Sequence, residues 1–245
     1  MTGGRRRCTT VTDGKLEFPR VSPSKREFLN HAAQTYYGYL KDSTVATSYL
    51  KSRGITGEAA RDFKLGYVKE PLENHDEMVG MLCIPFITPT GVSAVRFRRI
   101  EGSGNKYHQE SATYTPLFNV RDLHRPEPYI AFCEGELDGL VMSALVGVPA
   151  IALPGLGQWA KNGKFYKRVL QDYERVFVVM DTDDKGEGQK TAGQIMRALP
   201  NGVNIKLPFD VNDTFLQYGR EFILKELGLW DESSETPSSV LSAAA

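Results

Sequence analysis

The chain has 245 residues, enough for one or two domains that bury real cores. Its 30 Lys and Arg balance its 30 Asp and Glu, for a formal net charge of +0. That balance excludes a polybasic protein that holds nucleic acid by bulk charge, and leaves room only for a local basic groove. No run of 18 apolar residues exists to span a membrane, and the composition (41% hydrophobic, 24% charged) is that of a globular chain.

Residues 1–22 are polar and read as a flexible leader. Arg5, Arg6 and Arg7 are followed by no apolar stretch, so they do not open a secretory signal; a solvated tail is expected. Residues 23–66 predict a small helical unit. Ser22-Pro23 is a start signal, Phe28, Ala32 and Tyr36 recur at helical spacing, a second segment stops at Gly54, and Thr56 caps a third. Around residue 79 the period changes to two. Met81 to Ile87 and Val92 to Phe97 predict two strands joined by the turn Thr88-Pro89-Thr90-Gly91, and Arg96, Arg98, Arg99 and Lys106 crowd the second strand and its following loop.

From residue 128 to 207 strands and helices alternate. Strands are expected at 129–133, 148–153, 175–180 and 203–207, with helices at 137–145, 165–173 and 188–199. Apolar, β-branched strands in this rhythm predict a mainly parallel, Rossmann-like sheet covered on both faces, whose ligands lie beyond the carboxyl ends of the strands. A last helix is expected over 213–230, and the Ser/Ala-rich residues 231–245 read as a disordered tail. The fold class is therefore α/β. Residues 23–127 form a smaller mixed α+β basic subdomain, residues 128–212 form the parallel-sheet domain, and the helix over 213–230 packs on that core.

Three cysteines, Cys8, Cys83 and Cys133, and four scattered histidines give no zinc-ligand spacing, so no zinc site is expected within the chain. Cys83 and Cys133 sit in apolar runs and read as buried free thiols. Acidic residues, by contrast, fall where the sheet would present them. Glu134 follows one strand, with Asp138 four residues on. Asp181 and Asp183 follow another, and Asp210 and Asp213 follow the short strand near Leu207. Any one of these alone would read as a helix cap. Converging carboxylates repel one another and call for a hard cation, Mg²⁺ or Mn²⁺. Gly155-Leu156-Gly157 lacks the Lys-Ser/Thr of a phosphate loop and reads as a turn, and Trp159 reads as packing.

The segments IAFCEGELDGL and VFVVMDTDDKGEG resemble the glutamate and Asp-x-Asp motifs of the Toprim domain, which occurs in topoisomerases, primases, nucleases and recombination mediators. Upstream, SYLKSRGITGEAARDFKLGYV, the hairpin MLCIPFITPTGVSAVRFRRI and NKYHQESATYTPLFNV resemble the segments before the catalytic core of DnaG-type bacterial and phage primases, so the likeness spans about residues 46–225. It departs from that family at Lys185, where many primases carry Ala before the glycine.

The resemblance implies a primase core making RNA primers on single-stranded DNA from nucleoside triphosphates. Glu134, Asp181 and Asp183 are implied as catalytic, with Asp138 and Asp213 joining them around Mg²⁺ or Mn²⁺. Arg96, Arg98, Arg99, Lys106 and Tyr107 are implied for template or nucleotide, and Lys185 and Lys190 for nucleotide phosphate. The zinc-binding and helicase-binding domains of full primases have no counterpart here. A zinc module and a replicative helicase on other chains are thus implied as partners, in the cytoplasm of a bacterial host, for a phage or plasmid protein. Two rivals remain open: a Toprim nuclease using the same metal site, and a nonenzymatic single-strand-binding replication module. A topoisomerase fits less well, since no gate domains or catalytic Tyr can be assigned.

Overall fold

The computed structural model describes residues 21–110, 117–182 and 186–231. The leader with Arg5–Arg7, Cys8, Asp183, Lys185 and the tail beyond residue 231 lie outside the described residues, as do residues 111–116.

The helical unit forms as its punctuation requires. Helices α1 (Pro23–Leu40), α2 (Thr44–Ser52) and α3 (Gly57–Asp62) start at Ser22, Ser43 and Thr56, and each hydroxyl accepts a backbone N–H of the first turn. Four antiparallel strands follow in the order β1-β2-β3-β4: β1 (Gly66–Tyr67), β2 (Met81–Thr88), β3 (Gly91–Arg99) and β4 (Tyr107–Gln109). The expected hairpin is β2–β3. The flanking β1 and β4, of two and three residues, are too short for a period to be read.

Alternation divides this sheet into two faces. Met81, Cys83, Val95 and Phe97 pack under Leu29, Ala32 and Tyr36 of α1. Leu82, Ile84, Phe86 and Ala94 turn the other way, into a core that runs through α2 and α3 to the second domain. Register pairs Leu82 with Arg98 and Ile84 with Arg96, so both arginines share this second face, the one turned toward the parallel sheet.

That sheet is four-stranded and all parallel, in the order β6-β5-β7-β8: β5 (Tyr129–Cys133), β6 (Ala150–Ala152), β7 (Arg175–Val179) and β8 (Gly202–Asn204). On one face lie α4 (Glu136–Leu140), the π-helical turn Val141–Val146 and α7 (Val211–Glu226). On the other lie α5 (Gly157–Leu170) and α6 (Glu187–Ala198), through Trp159, Tyr166, Leu170, Ala192 and Ile195. Both faces are covered, as the continuous apolar strands demand. The outer edge of β6 meets an antiparallel bridge from Phe118 to Ala152, and the buried side chains of Asn119 and Asp122 bond the Ala150 carbonyl and amide.

Helix α5 begins eight positions before the expected 165, because the chain turns at Gly155 (φ 111°) and buries Trp159 at once. Gly157 and Gly163 weaken the helical signal over that stretch. Cys83 and Cys133 are buried free thiols, as expected, and burial pushes both well above the ordinary thiol range. No helix of the described residues is long and apolar enough to cross a membrane.

Candidate active site

Parallel pairing sets Cys133 beside Val179, so the chain leaves β5 and β7 side by side at the same sheet edge. Glu134 is the first residue beyond β5 and Asp181 the second beyond β7. The Asp181 backbone N–H donates to Glu134 Oε2 at 3.1 Å across 47 residues of sequence. Helix α6 seals the junction from the side. A Cβ on Gly188 would lie 2.4 Å from the Asp181 carbonyl and 2.9 Å from Glu134 Oε2, so only glycine lets the helix approach this closely.

Asp138, one helical turn past Glu134 on α4, faces the same space. Burial first, then the charges of Asp210 and Asp181, hold its carboxyl well above the usual carboxylate range. The Asn212 backbone N–H, donating to Asp138 Oδ1 at 3.2 Å, and the Arg98 guanidinium work in the opposite direction. Asp210 is the N-cap of α7 and accepts the Asp213 N–H at 2.6 Å. Asp213 itself turns to Arg53, whose Nη1 lies 2.8 Å from Asp213 Oδ1, while Arg53 Nη2 stands 3.6 Å from Asp210 Oδ2. The fully buried Asn212 ties its Nδ2 to the Arg53 carbonyl at 2.6 Å. The acidic group around Asp138 is thus Asp181 and Asp210, with Glu134 beside Asp181. Arg53 and Asn212 join α2 to it from 160 residues away in the chain. The sequence assigned neither Arg53 nor Asn212 a role; it pointed to this corner only through the acids Asp210 and Asp213 after the strand near Leu207.

The basic residues divide between two surroundings. Arg96 makes an ion pair with Glu136 of α4, which is 1% exposed. Arg98 donates to the phenol oxygens of Tyr49, at 2.7 Å, and of Tyr107. The Tyr107 ring holds Arg96 at 4.6 Å and Arg98 at 5.2 Å. Burial raises the Tyr107 phenol above its ordinary value, the Glu136 charge adding to the effect. Arg99, on the opposite face of β3, donates to the Asn105 carbonyl at 3.3 Å, and Lys106 is exposed. Lys190 is exposed on the first turns of α6. Arg98 faces Asp138 and Arg96 pairs with Glu136, the Lys106 Nζ lies 5.7 Å from the centre of the same Tyr107 ring, and Arg99 turns to the opposite face.

Among the described residues no cluster of three or more His, Cys, Asp or Glu side chains is close enough to hold a metal ion. The chemistry of Glu134, Asp138, Asp181 and Asp210 nevertheless fits one. All are carboxylates, and the charges of Asp210 and Asp181, which add to burial in raising the Asp138 carboxyl, would be offset by a divalent cation among hard oxygen donors.

No known family profile matches the chain. The Gene 57 protein of Mycobacterium phage D29 is 27% identical over 155 residues, which is 60% of this chain and 98% of that protein. The Aquifex aeolicus primase structure, comprising zinc-binding and RNA polymerase domains, superposes with a TM-score of 0.66 at 22% identity over 87% of this chain and 63% of the other. The chain therefore spans less than two thirds of that structure. The RNA polymerase domain of Mycobacterium tuberculosis primase DnaG, in complex with a double-stranded DNA oligomer carrying a 6-nucleotide overhang, superposes with a TM-score of 0.65 at 20% identity, covering 84% of this chain and 80% of that one. The fold is that of the DnaG-type primase catalytic core.

Proposed function

We propose that the chain is the polymerase core of a primase and joins ribonucleotides into short RNA primers on single-stranded DNA. The observation that carries this reading is the Asp181 N–H held on Glu134 Oε2 at a parallel-sheet edge, beside Asp138 and facing the arginines of the hairpin. A carboxylate corner opposed to guanidinium groups suits a polyphosphate and its metal better than a neutral substrate. The DNA held by the similar mycobacterial domain supports a nucleic-acid substrate.

Glu134, Asp181 and Asp138 would hold the divalent cation, Mg²⁺ or Mn²⁺, with Asp183 joining as the second acid of its motif. The cation supplies charge neutralisation for the phosphates when bound. The 3′-hydroxyl oxygen of the primer forms a bond to the α-phosphorus of the incoming nucleotide. The bond from that phosphorus to the bridging oxygen breaks, and pyrophosphate leaves. The hydroxyl proton passes to solvent, or to Glu134 where that carboxylate serves as general base in place of holding the cation. Arg98 and Lys106 meet template or triphosphate oxygens. Arg53 holds Asp210 and Asp213 in place. A zinc module and a replicative helicase would select the start site and deliver template, in the cytoplasm of a bacterial host.

The test is primer synthesis on a single-stranded template with labelled ribonucleotides and Mg²⁺ or Mn²⁺, run in parallel with extension of a preformed primer so that a missing initiation partner is bypassed. Labelled RNA that disappears in Glu134→Gln and Asp181→Ala is expected. Template shortening without RNA overturns the reading in favour of a nuclease, and binding with neither product overturns it in favour of a binding module.

A further inference from the structure

Helix α5 contains no acidic residue, and it carries Lys161, Lys164, Lys167 and Arg168, all exposed. At 100° per residue Lys161, Lys164 and Arg168 fall within about 60° of one another, with Lys167 on the flank. Trp159, Tyr166 and Leu170, which bury the helix, lie on the opposite side. The row is therefore displayed to solvent. Its length, about 10 Å at 1.5 Å per residue, covers about three phosphates of one DNA strand at 3.4 Å each.

The neighbouring α6 continues the pattern. The two helices share the face of the sheet that buries Trp159 and Ile195, and α6 exposes Lys190 and Arg197 against one acid, Glu187. Together they expose six basic side chains and one acidic one in a protein whose net charge is +0. Lys161, Lys164 and Lys167 form no ion pair with any described residue. Like charges three and four apart on a helix repel, so folding alone gives no return on this spacing, whereas a bound polyanion does.

The position of the row selects the polyanion. Helix α5 starts five residues after β6, and α6 starts against Glu134 and Asp181, as the Gly188 contact shows. Both helices thus run away from the strand ends where the carboxylates gather. A strand leaving the site on that side meets Lys190 first and the α5 row after it. We infer that the exposed face of α5, continued by α6, is a second nucleic-acid surface, which takes the phosphate backbone of the template or of the primer–template duplex as it leaves the acidic site. The inference rests on the primase reading for the direction of that strand.

The experiment is fluorescence anisotropy of labelled 30-nucleotide single-stranded DNA and of a 30-base-pair duplex, titrated with the full chain at several salt concentrations. The Lys161→Gln/Lys164→Gln variant is compared with Lys41→Gln/Lys69→Gln, which removes the same charge from exposed positions elsewhere. The α5 variant is expected to bind at least fivefold more weakly at about 100 mM salt. Its salt slope on single strands should shrink by about 1.4, about 0.7 for each lost contact, while Lys161→Arg/Lys164→Arg retains both. Loss confined to the single strand assigns the surface to template, and loss confined to the duplex assigns it to product. Equal affinities and slopes for the two Gln variants overturn the inference, as does tighter binding of anionic vesicles by α5 with DNA binding unchanged. Failure of the primase reading shows separately, as absent RNA synthesis by a chain whose α5 variant still loses DNA.

Discussion

Arg96 and Glu136 are paired across the boundary between the antiparallel sheet and the parallel-sheet domain, with the carboxylate 1% exposed and the arginine side chain 11% exposed. A pair this dry is held by its own mutual neutralisation. Arg96→Met or Glu136→Leu alone strands a buried charge and should cost about 3–5 kcal/mol. The combined Arg96→Met/Glu136→Leu replacement removes both charges and should cost far less. Urea denaturation of the two single variants and the double variant checks this, and additive losses would show that the charges are not coupled.

Gly188 separates packing from propensity on a single helix. Gly188→Ala forces the Asp181 carbonyl or the Glu134 carboxylate to move and should reduce primer extension at least tenfold. Gly193→Ala, five residues along, meets nothing closer than 3.9 Å and should raise stability by about 0.5–1 kcal/mol with extension retained. Thermal denaturation together with extension rates distinguishes the two.

Asp138 carries a charge that the folded chain resists. Its carboxyl is held well above the ordinary value, so at neutral pH ionisation opposes folding, and the opposition grows as pH rises from the unfolded value toward the folded one. Asp138→Asn keeps an oxygen for the Asn212 N–H and should raise the melting temperature in EDTA by about 2–4 °C for each kcal/mol regained. The same variant should lose most primer extension. Mg²⁺ should stabilise the native chain more than it stabilises the variant.

His75 gives a pH dependence of opposite sign. It is fully buried beneath Phe28, Phe97 and Tyr36, and its Nδ1 stands 2.7 Å from the Tyr36 hydroxyl. Burial lowers its value, with Lys25 adding to that and Glu110 and Asp76 opposing it. The unfolded chain therefore takes up the proton first. Stability is full above about pH 6.5 and falls as pH drops through that value, levelling off below the folded one. His75→Phe gives up the Tyr36 hydrogen bond and should be less stable at pH 8, but its stability curve between pH 7 and 5 should be flatter.

The parallel sheet and its acidic edge were legible because strands buried on both faces advertise themselves as apolar runs, and Glu134 and Asp181 directly punctuate two of them. The partners of the basic residues were not. Alternation assigns Arg96 and Arg98 to one face of β3 and Arg99 to the other, as found. Both faces of that strand are apolar further back, at Ala94 on one side and Val95 on the other, so no periodicity shows which face meets the second domain. Arg53 was illegible for a different reason. Its partners Asp210 and Asp213 lie about 160 residues away, and helix spacing carries no information over that distance. The early start of α5 was hidden by its glycines, which lower helical propensity where Trp159 restores it through packing.

The turn at residues 118–122 closes an otherwise open margin of the parallel sheet. Phe118 exchanges both backbone hydrogen bonds with Ala152, at 3.0 and 3.2 Å, Asn119 donates to the Ala150 carbonyl, and Asp122 accepts the Ala150 amide. Every outward-facing backbone group of Ala150 and Ala152 is therefore taken. An extended segment from a neighbouring molecule finds no ladder to lengthen along β6, and at the far margin β8 offers only three residues. A sheet built of such apolar strands would otherwise invite runaway strand addition at high concentration. Asn119 and Asp122 block that addition along β6, and their removal should be felt first as loss of solubility.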